Sequence, residues 1–332
     1  MGSPLQIGLV YDLLGSAPAG PPDGDAEYEP IATVEALEGA IRLAGHMPLR
    51  IGSPRELLAA LGRGTLPKLD AAWNIAEGWG TRNREAWAPI LLEMAGIPAL
   101  GSDALTLSTS LDKAWTLDRV AAAFVPVAGH VCAESAGDLT GLTLPAPFPL
   151  FVKPRWEGTA KGITPGSRVE DAVALAREVE RIARDYREPV LIEPFLPGAE
   201  YTVTVIGNAP PRALPVLQRA LEAESGIGLH ALERHTPPDG FAHVLPGMLS
   251  PALEAELHAL AVRAFRALAC RDFARADFRL DAAGRPVFLE LNPLPTFAQG
   301  GSFAVLAEIL GRTLEDLLAE VLVLGLARLG LA

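Results

Sequence analysis

Cysteine is nearly absent from this chain, with only Cys132 and Cys270 among 332 residues. Two thiols so far apart have neither the number nor the spacing of a disulfide framework or a metal knuckle, and they read as buried thiols. Long apolar runs are missing as well: 49% of the residues are hydrophobic, yet no run is long enough to span a bilayer. Met1-Gly2-Ser3-Pro4 lacks the basic and apolar regions of a signal peptide, so the expected location is cytoplasmic, with no membrane partner. Positive charge is scarce. With 28 Lys and Arg against 40 Asp and Glu, the net charge is −12, which argues against a nucleic-acid surface while leaving room for a local basic phosphate site. No Gly-Lys-Ser/Thr opens a helix, which excludes a Walker loop. The apolar content suffices for a large core, and the length suggests two or three domains.

The densest chemistry lies between Asp272 and Ser302. Ala276, Phe278 and Leu280 alternate along one face of a first strand, Val287, Leu289 and Leu291 along one face of a second, and Asp281-Ala282-Ala283-Gly284-Arg285-Pro286 separates them. The pattern predicts a β-hairpin. If Leu280 faces Val287, the same register sets Asp277 opposite Glu290, with Arg275 and Asn292 next along the polar face. Facing carboxylates repel, so the arrangement calls for a cation, and a set of Asp, Glu and Asn oxygens suits Mg2+. A solvated hairpin face is the other reading of the same pattern.

The run R-x-D-x-x-L-D from Arg275 to Asp281, followed by F-L-E-L-N-P from Phe288, resembles the metal-binding end of the ATP-grasp ligases, and more closely of the D-alanine:D-alanine ligase family. The resemblance implies a mixed α/β, three-domain ATP-grasp fold. An open α/β substrate domain is expected over residues 1–102, a central subdomain with a phosphate-covering loop over 103–192, and a C-terminal subdomain with the metal site over 193–332. It further implies ATP-dependent joining of a carboxylate to an amine, between two amino acids or an amino acid and a short peptide, through an acyl phosphate. ATP and two Mg2+ ions, with Mn2+ as a substitute, are the implied cofactors, and Asp277, Glu290 and Asn292 the implied metal ligands. A homodimer is left open. A non-catalytic, nucleotide-sensing relative is the alternative, and the joint retention of Lys113, Lys153, Glu200, Arg275, Asp277, Glu290 and Asn292 speaks against it.

Taken in order, the chain opens with a strand, a Gly/Pro/Asp-rich loop and a helix, a start that suits an open α/β domain with a ligand crevice at the strand end. Asp23, Asp25, Glu27 and Glu29 are candidates for holding a substrate amine there, and acidic loop solvation explains them equally well. The family's Ser-x-Glu signature is not found in this loop. Asn74, Glu77, Arg82, Arg84 and Glu85 form either an amino-acid pocket or a helix cap. Lys113 matches the family's phosphate-binding lysine. After Lys153, the segment Glu157-Gly158-Thr159-Ala160 resembles the phosphate-covering loop: glycine lets backbone N–H groups approach an anion, Thr159 adds a hydroxyl, and Lys153 supplies charge. Glu193-Pro194-Phe195-Leu196 resembles the adenine slot, and Glu200 the ribose acceptor. Arg275 is the implied oxyanion stabiliser, Ser302 the implied partner of the second substrate's carboxylate, and His235, or Arg234, stands in for a loop lysine. Pro293 and Thr296 depart from the family pattern beside the acyl site.

Overall fold

The computed structural model describes residues 3–18, 20, 21, 23–232, 243, 244 and 249–332. His235 and Arg234 lie outside the described residues. The first sheet is parallel, with β1 (Gln6–Val10), β2 (Met47–Gly52), β3 (Ala71–Asn74) and β4 (Ala99–Leu100) in the order β2-β1-β3-β4, flanked by α1 (Ile31–Leu43), α2 (Pro54–Arg63) and α3 (Trp87–Met94). The start of α2 is fixed locally. Ser53 and Glu56 satisfy each other's backbone amides in a capping box, and Gly64 closes the helix at φ 64°. Next come α4 (Ala104–Leu111) and α5 (Lys113–Ala121), and then a four-stranded sheet, β5-β8-β6-β7, of β5 (Val131–Ala133), β6 (Leu150–Pro154), β7 (Arg168–Val169) and β8 (Val190–Pro194). It is backed by α6 (Ala172–Tyr186), which buries Leu175, Val179 and Ile182 at helical spacing.

The third sheet, seven-stranded among the described residues, has the path β12-β11-β9-β14-β15. It contains β9 (Glu200–Ile206), β10 (Arg212–Ala213), β11 (Leu217–Glu222), β12 (Gly228–Leu232), β13 (His243–Val244), β14 (Phe273–Leu280) and β15 (Pro286–Asn292), with α7 (Pro251–Ala267) against it. α8 (Ser302–Ile309) and α9 (Leu314–Arg328) do not stay with this sheet. Their Phe303, Leu306, Leu318 and Leu322 share one core with Ile7, Leu9 and Leu37 of the first sheet and α1. Asp272, fully buried just before β14, binds both Arg328 of α9 at 2.7 Å and the Gly101 amide beyond β4 at 2.8 Å. Phe297 packs edge-on against Trp73, Phe273 and Phe303, with ring centroids 4.7–5.8 Å apart, so the segment after β15 is anchored under the first sheet.

The predicted hairpin forms, with one change. Asp277 faces Glu290 and Arg275 faces Asn292 as the pattern required, but Leu280 faces Pro286 rather than Val287, because a bulge follows Asp277. The extra residue shifts the alternation. Phe288, and not Leu289, joins Phe278 on the core side, in a T-shaped contact 5.6 Å between centroids, while Leu289 turns to the cleft.

One buried carboxyl stands apart from the core logic. Glu188, at the entry to β8, has a buried Oε1 without a hydrogen-bond partner, and burial, reinforced by Glu157, pushes it up to about 8. A folded-state value above the unfolded one means its stabilising neutral form is fully present below about pH 4.3 and is lost as pH rises through 8. Glu188→Gln is therefore expected to raise the melting midpoint by a few degrees at pH 9 and to leave it unchanged near pH 4; an equal shift at both pH values removes this assignment.

Candidate functional site

The hairpin, the sheet containing β6 and β8, and the turn after Arg155 enclose one cleft of about 960 Å3, its open mouth included. Each wall follows from local sequence. In β6, alternation buries Leu150 and Val152 in the core and leaves Phe151 and Lys153 to line the cleft. Lys153 Nζ lies 2.7 Å from Glu193 Oε2 on the neighbouring β8. Burial pulls this ammonium down, but Glu193 and Glu290 more than offset it and hold it above its usual range. Lys113, the first residue of α5, lies 3.6 Å from Glu290 Oε2 and donates to the Glu157 carbonyl. Two ammonium groups thus stand at one end, while Phe195 at the other is covered by the Arg168 and Arg279 guanidinium groups at 4.5 and 5.1 Å from its ring centroid.

Among the residues singled out by sequence, Lys113, Lys153, Glu157, Thr159, Ala160, Glu193, Pro194, Phe195, Leu196, Glu200, Arg275, Asp277 and Glu290 all line this cleft. Gly158 and Asn292 line a small adjoining cavity that shares Lys113 and Glu290 with the cleft. Ser302 lines neither. It opens α8 with a buried hydroxyl that has no partner. Asp277 accepts from Thr202 at 2.8 Å and from Arg275 at 2.9 Å; burial opposes its charge, and Arg275 and Arg219 overcome that and hold it below the usual carboxylate range. Asn292 Oδ1 accepts from the Leu294 amide at 2.8 Å. Among the described residues no three His, Cys, Asp or Glu side chains form a metal cage. Two opposed carboxylates and an amide oxygen nonetheless fit Mg2+, which takes one or two carboxylates and completes its shell from phosphate and water.

Several expectations need correction. The glycine loop was expected to offer its amides to phosphate, but the Gly158 amide donates to Glu27 Oε1 at 2.7 Å and the Gly162 amide to Asp23 at 2.9 Å. Asp23 and Glu27, which precede α1, supply those anions. Thr159 and Ala160 hold φ of 49° and 56° at the tip, left-handed values that cost strain in non-glycine residues. Of the four acidic residues in the early loop, Asp23 also takes the Tyr186 hydroxyl, Asp25 the Gly15 amide, and Glu29 the Thr33 hydroxyl at 2.8 Å. Of the four, Glu27 alone borders the small adjoining cavity. It lies between Arg84 at 2.9 Å and Lys161 at 3.0 Å; burial would raise its carboxyl, but these cations pull it down to about 2. Arg82 turns away onto Trp115, 4.9 Å from the ring centroid.

Sequence reasoning did not single out Lys161, Arg219 or Arg279. Glu200 lies 3.0 Å from Arg219 and 3.5 Å from Arg279, and burial outweighs both, so its carboxyl stays above the usual range. Strand alternation gave no signal for Arg219, because at a period of two it falls on the same face as the buried Leu217 and Leu221.

Comparison with known proteins points to one family. Residues 133–323 match the family model described as D-ala D-ala ligase C-terminus. A D-alanine–D-alanine ligase of Cupriavidus metallidurans is 31% identical, covering 70% of this chain and 69% of that one. The uncharacterized protein y4sG of Sinorhizobium fredii is 28% identical over 87% of this chain and 85% of its own. In fold, the D-alanine–D-alanine ligase of Bacillus anthracis complexed with ATP superposes with TM-score 0.72 at 19% identity, covering 98% of both chains. The VanG D-Ala:D-Ser ligase of Enterococcus faecalis superposes with TM-score 0.71 at 17% identity, covering 97% of this chain and 99% of that one.

Proposed function

Because this chain belongs to the D-alanine–D-alanine ligase family, we propose that it joins a carboxylate to an amine in an ATP-dependent reaction, with amino acids or a short peptide as substrates. The observation that carries the reading is the convergence of Lys113, Lys153, Arg275 and the facing pair Asp277 and Glu290 on one cleft with an apolar end at Phe195 and Leu196. Lys113 and Lys153 hold the phosphates, the segment Glu193 to Leu196 holds the base, and Glu200 takes the ribose hydroxyls. Asp277, Glu290 and Asn292 would hold Mg2+. When bound, the ion neutralises charge between the phosphates.

Chemically, a carboxylate oxygen takes the γ-phosphoryl group and ADP departs. The amine nitrogen then attacks the acyl carbon, phosphate leaves with its bonding pair, and the nitrogen loses a proton. Lys113 and Lys153 stabilise the transferring group, and Arg275, with Nη2 on the polar face of β14, stabilises the oxyanion of the second step. Ser302 stands ten residues past Asn292 and lines neither cavity, so only its unpartnered buried hydroxyl supports the role of receiving the second carboxylate.

We favour a substrate outside the D-alanine pair, a reading supported by the pairing of Glu27, the early-loop carboxylate at the adjoining cavity, with Arg84 and Lys161. ADP release with D-alanine as sole substrate is expected to be poor, and a screen of amino-acid pairs with mass analysis is expected to find a better couple. Turnover on D-alanine alone on the order of 1 to 1000 per second would restore the dimerase reading.

A further inference from the structure

The small cavity beyond the phosphate end of the cleft is bordered by Glu27, Glu77, Glu85, Ser110, Gly158 and Asn292, among others. Two of these carboxylates differ from every other acid in the site. Glu77, in the loop after β3, is 8% exposed, and Glu85, in the turn leading into α3, is 5% exposed. Among the described residues, neither carboxyl has a hydrogen bond or an ion pair, whereas Glu27, Glu157 and Glu290 each have a cation within 3.6 Å. Buried carboxyls are ordinarily paired, and leaving one unpaired costs several kcal/mol. Arg84, the nearest guanidinium, is already divided between Glu27, Glu157 and the Trp156 carbonyl.

We propose that Glu77 and Glu85 form a cation subsite, and that it receives an ammonium group on the substrate whose carboxylate lies at Lys113. The inference rests on the ligase reading of the adjoining cleft. Three features carry it. The two carboxyls border a cavity that shares Lys113 and Glu290 with the cleft as lining residues. The loop carboxylate next to them, Glu27, is removed from substrate recognition by Arg84 and Lys161. Of the carboxyls bordering the cavity, Glu27 pairs with Arg84 and Lys161 and Glu290 with Lys113, while Glu77 and Glu85 have no ion pair among the described residues. Consistent with a missing cation, burial pushes Glu85 up to about 8 and Glu77 well above its ordinary value, each raised further by neighbouring carboxylates.

The test uses the full chain and methylammonium chloride as the probe, read as the shift in melting midpoint at pH 7.5 against equal concentrations of sodium and potassium chloride. At 100 mM, methylammonium is expected to raise the midpoint by about 2 °C or more over either salt. Glu85→Gln is expected to at least halve that gain, and Glu77→Gln with Glu85→Gln to abolish it. Without the probe, both variants are expected to melt at or above the wild-type midpoint, because an unpaired buried carboxyl is removed. No methylammonium effect in the wild type, an equal effect of potassium, or an effect that survives the double substitution overturns the subsite. Variants that melt well below the wild type without probe mark the two carboxyls as structural and overturn it as well. A parallel shift with Mg-ATP keeps the two readings separate: ATP stabilisation without a methylammonium effect removes the subsite alone, and no ATP stabilisation removes the ligase reading.

Discussion

Glu290→Gln is expected to lower ADP release by about three powers of ten while the protein melts within about 2 °C of the wild type. The two halves of this expectation come from different environments of one side chain. Toward the fold, Glu290 is 27% exposed and its ion pair with Lys113 spans 3.6 Å, a contact worth at most about 1 kcal/mol. Toward the chemistry, it faces Asp277 across the hairpin, and an amide in its place removes one of two charges available to a divalent cation. Metal stabilisation of transferring phosphoryl charge is worth several kcal/mol, and each 1.36 kcal/mol is a factor of ten in rate. The measurement is steady-state ADP release at saturating ATP across a Mg2+ titration. Retention of more than a tenth of wild-type turnover at every Mg2+ concentration would sink the metal assignment.

Arg84→Leu is expected to produce the largest loss of stability in the chain, about 3–5 kcal/mol. Arg84 is 4% exposed along its side chain and lies 2.9 Å from Glu27 and 3.2 Å from Glu157; removing it leaves the buried Glu27 and the partly buried Glu157 to share Lys161. It also joins the turn before α3 to the glycine loop through the Trp156 carbonyl, so the loop over the phosphates loosens and KM for ATP rises at least about fivefold. Arg84→Leu combined with Glu27→Leu removes charge in a pair, and is expected to recover more than half of the lost stability. Denaturation of the single and double variants checks this. A cost below about 1 kcal/mol for Arg84→Leu, or additive costs in the double variant, would show that the cluster does not hold the loop.

Parts of the site were legible wherever chemistry and partner lie close along the chain. The β14 and β15 strands are separated by a short turn in which Asp281 binds the Arg285 amide at 2.9 Å, so alternation alone was enough to set Asp277 against Glu290. Lys153 and the run from Glu193 to Glu200 were likewise marked by strand ends with charged residues beside glycine or proline. The bulge was not legible. Leu289 and Phe288 are both apolar, and only packing against Phe278 decides which one enters the core.

By itself, then, the sequence determined the mixed α/β architecture, the hairpin and the charged residue types that gather along the cleft, because periodicity and turn chemistry act over a few residues. Tertiary structure alone decided what those polar faces meet. Arg219 reaches Glu200 only because β11 pairs with β9, which sets the two residues opposite each other. Glu27 meets Arg84 across 57 positions and Lys161 across 134, which turned a candidate substrate ligand into a closure for the glycine loop. Alternation tells which side of a strand is polar, but the charge on the other side of a cleft comes from a distant segment, and local patterns carry no record of it.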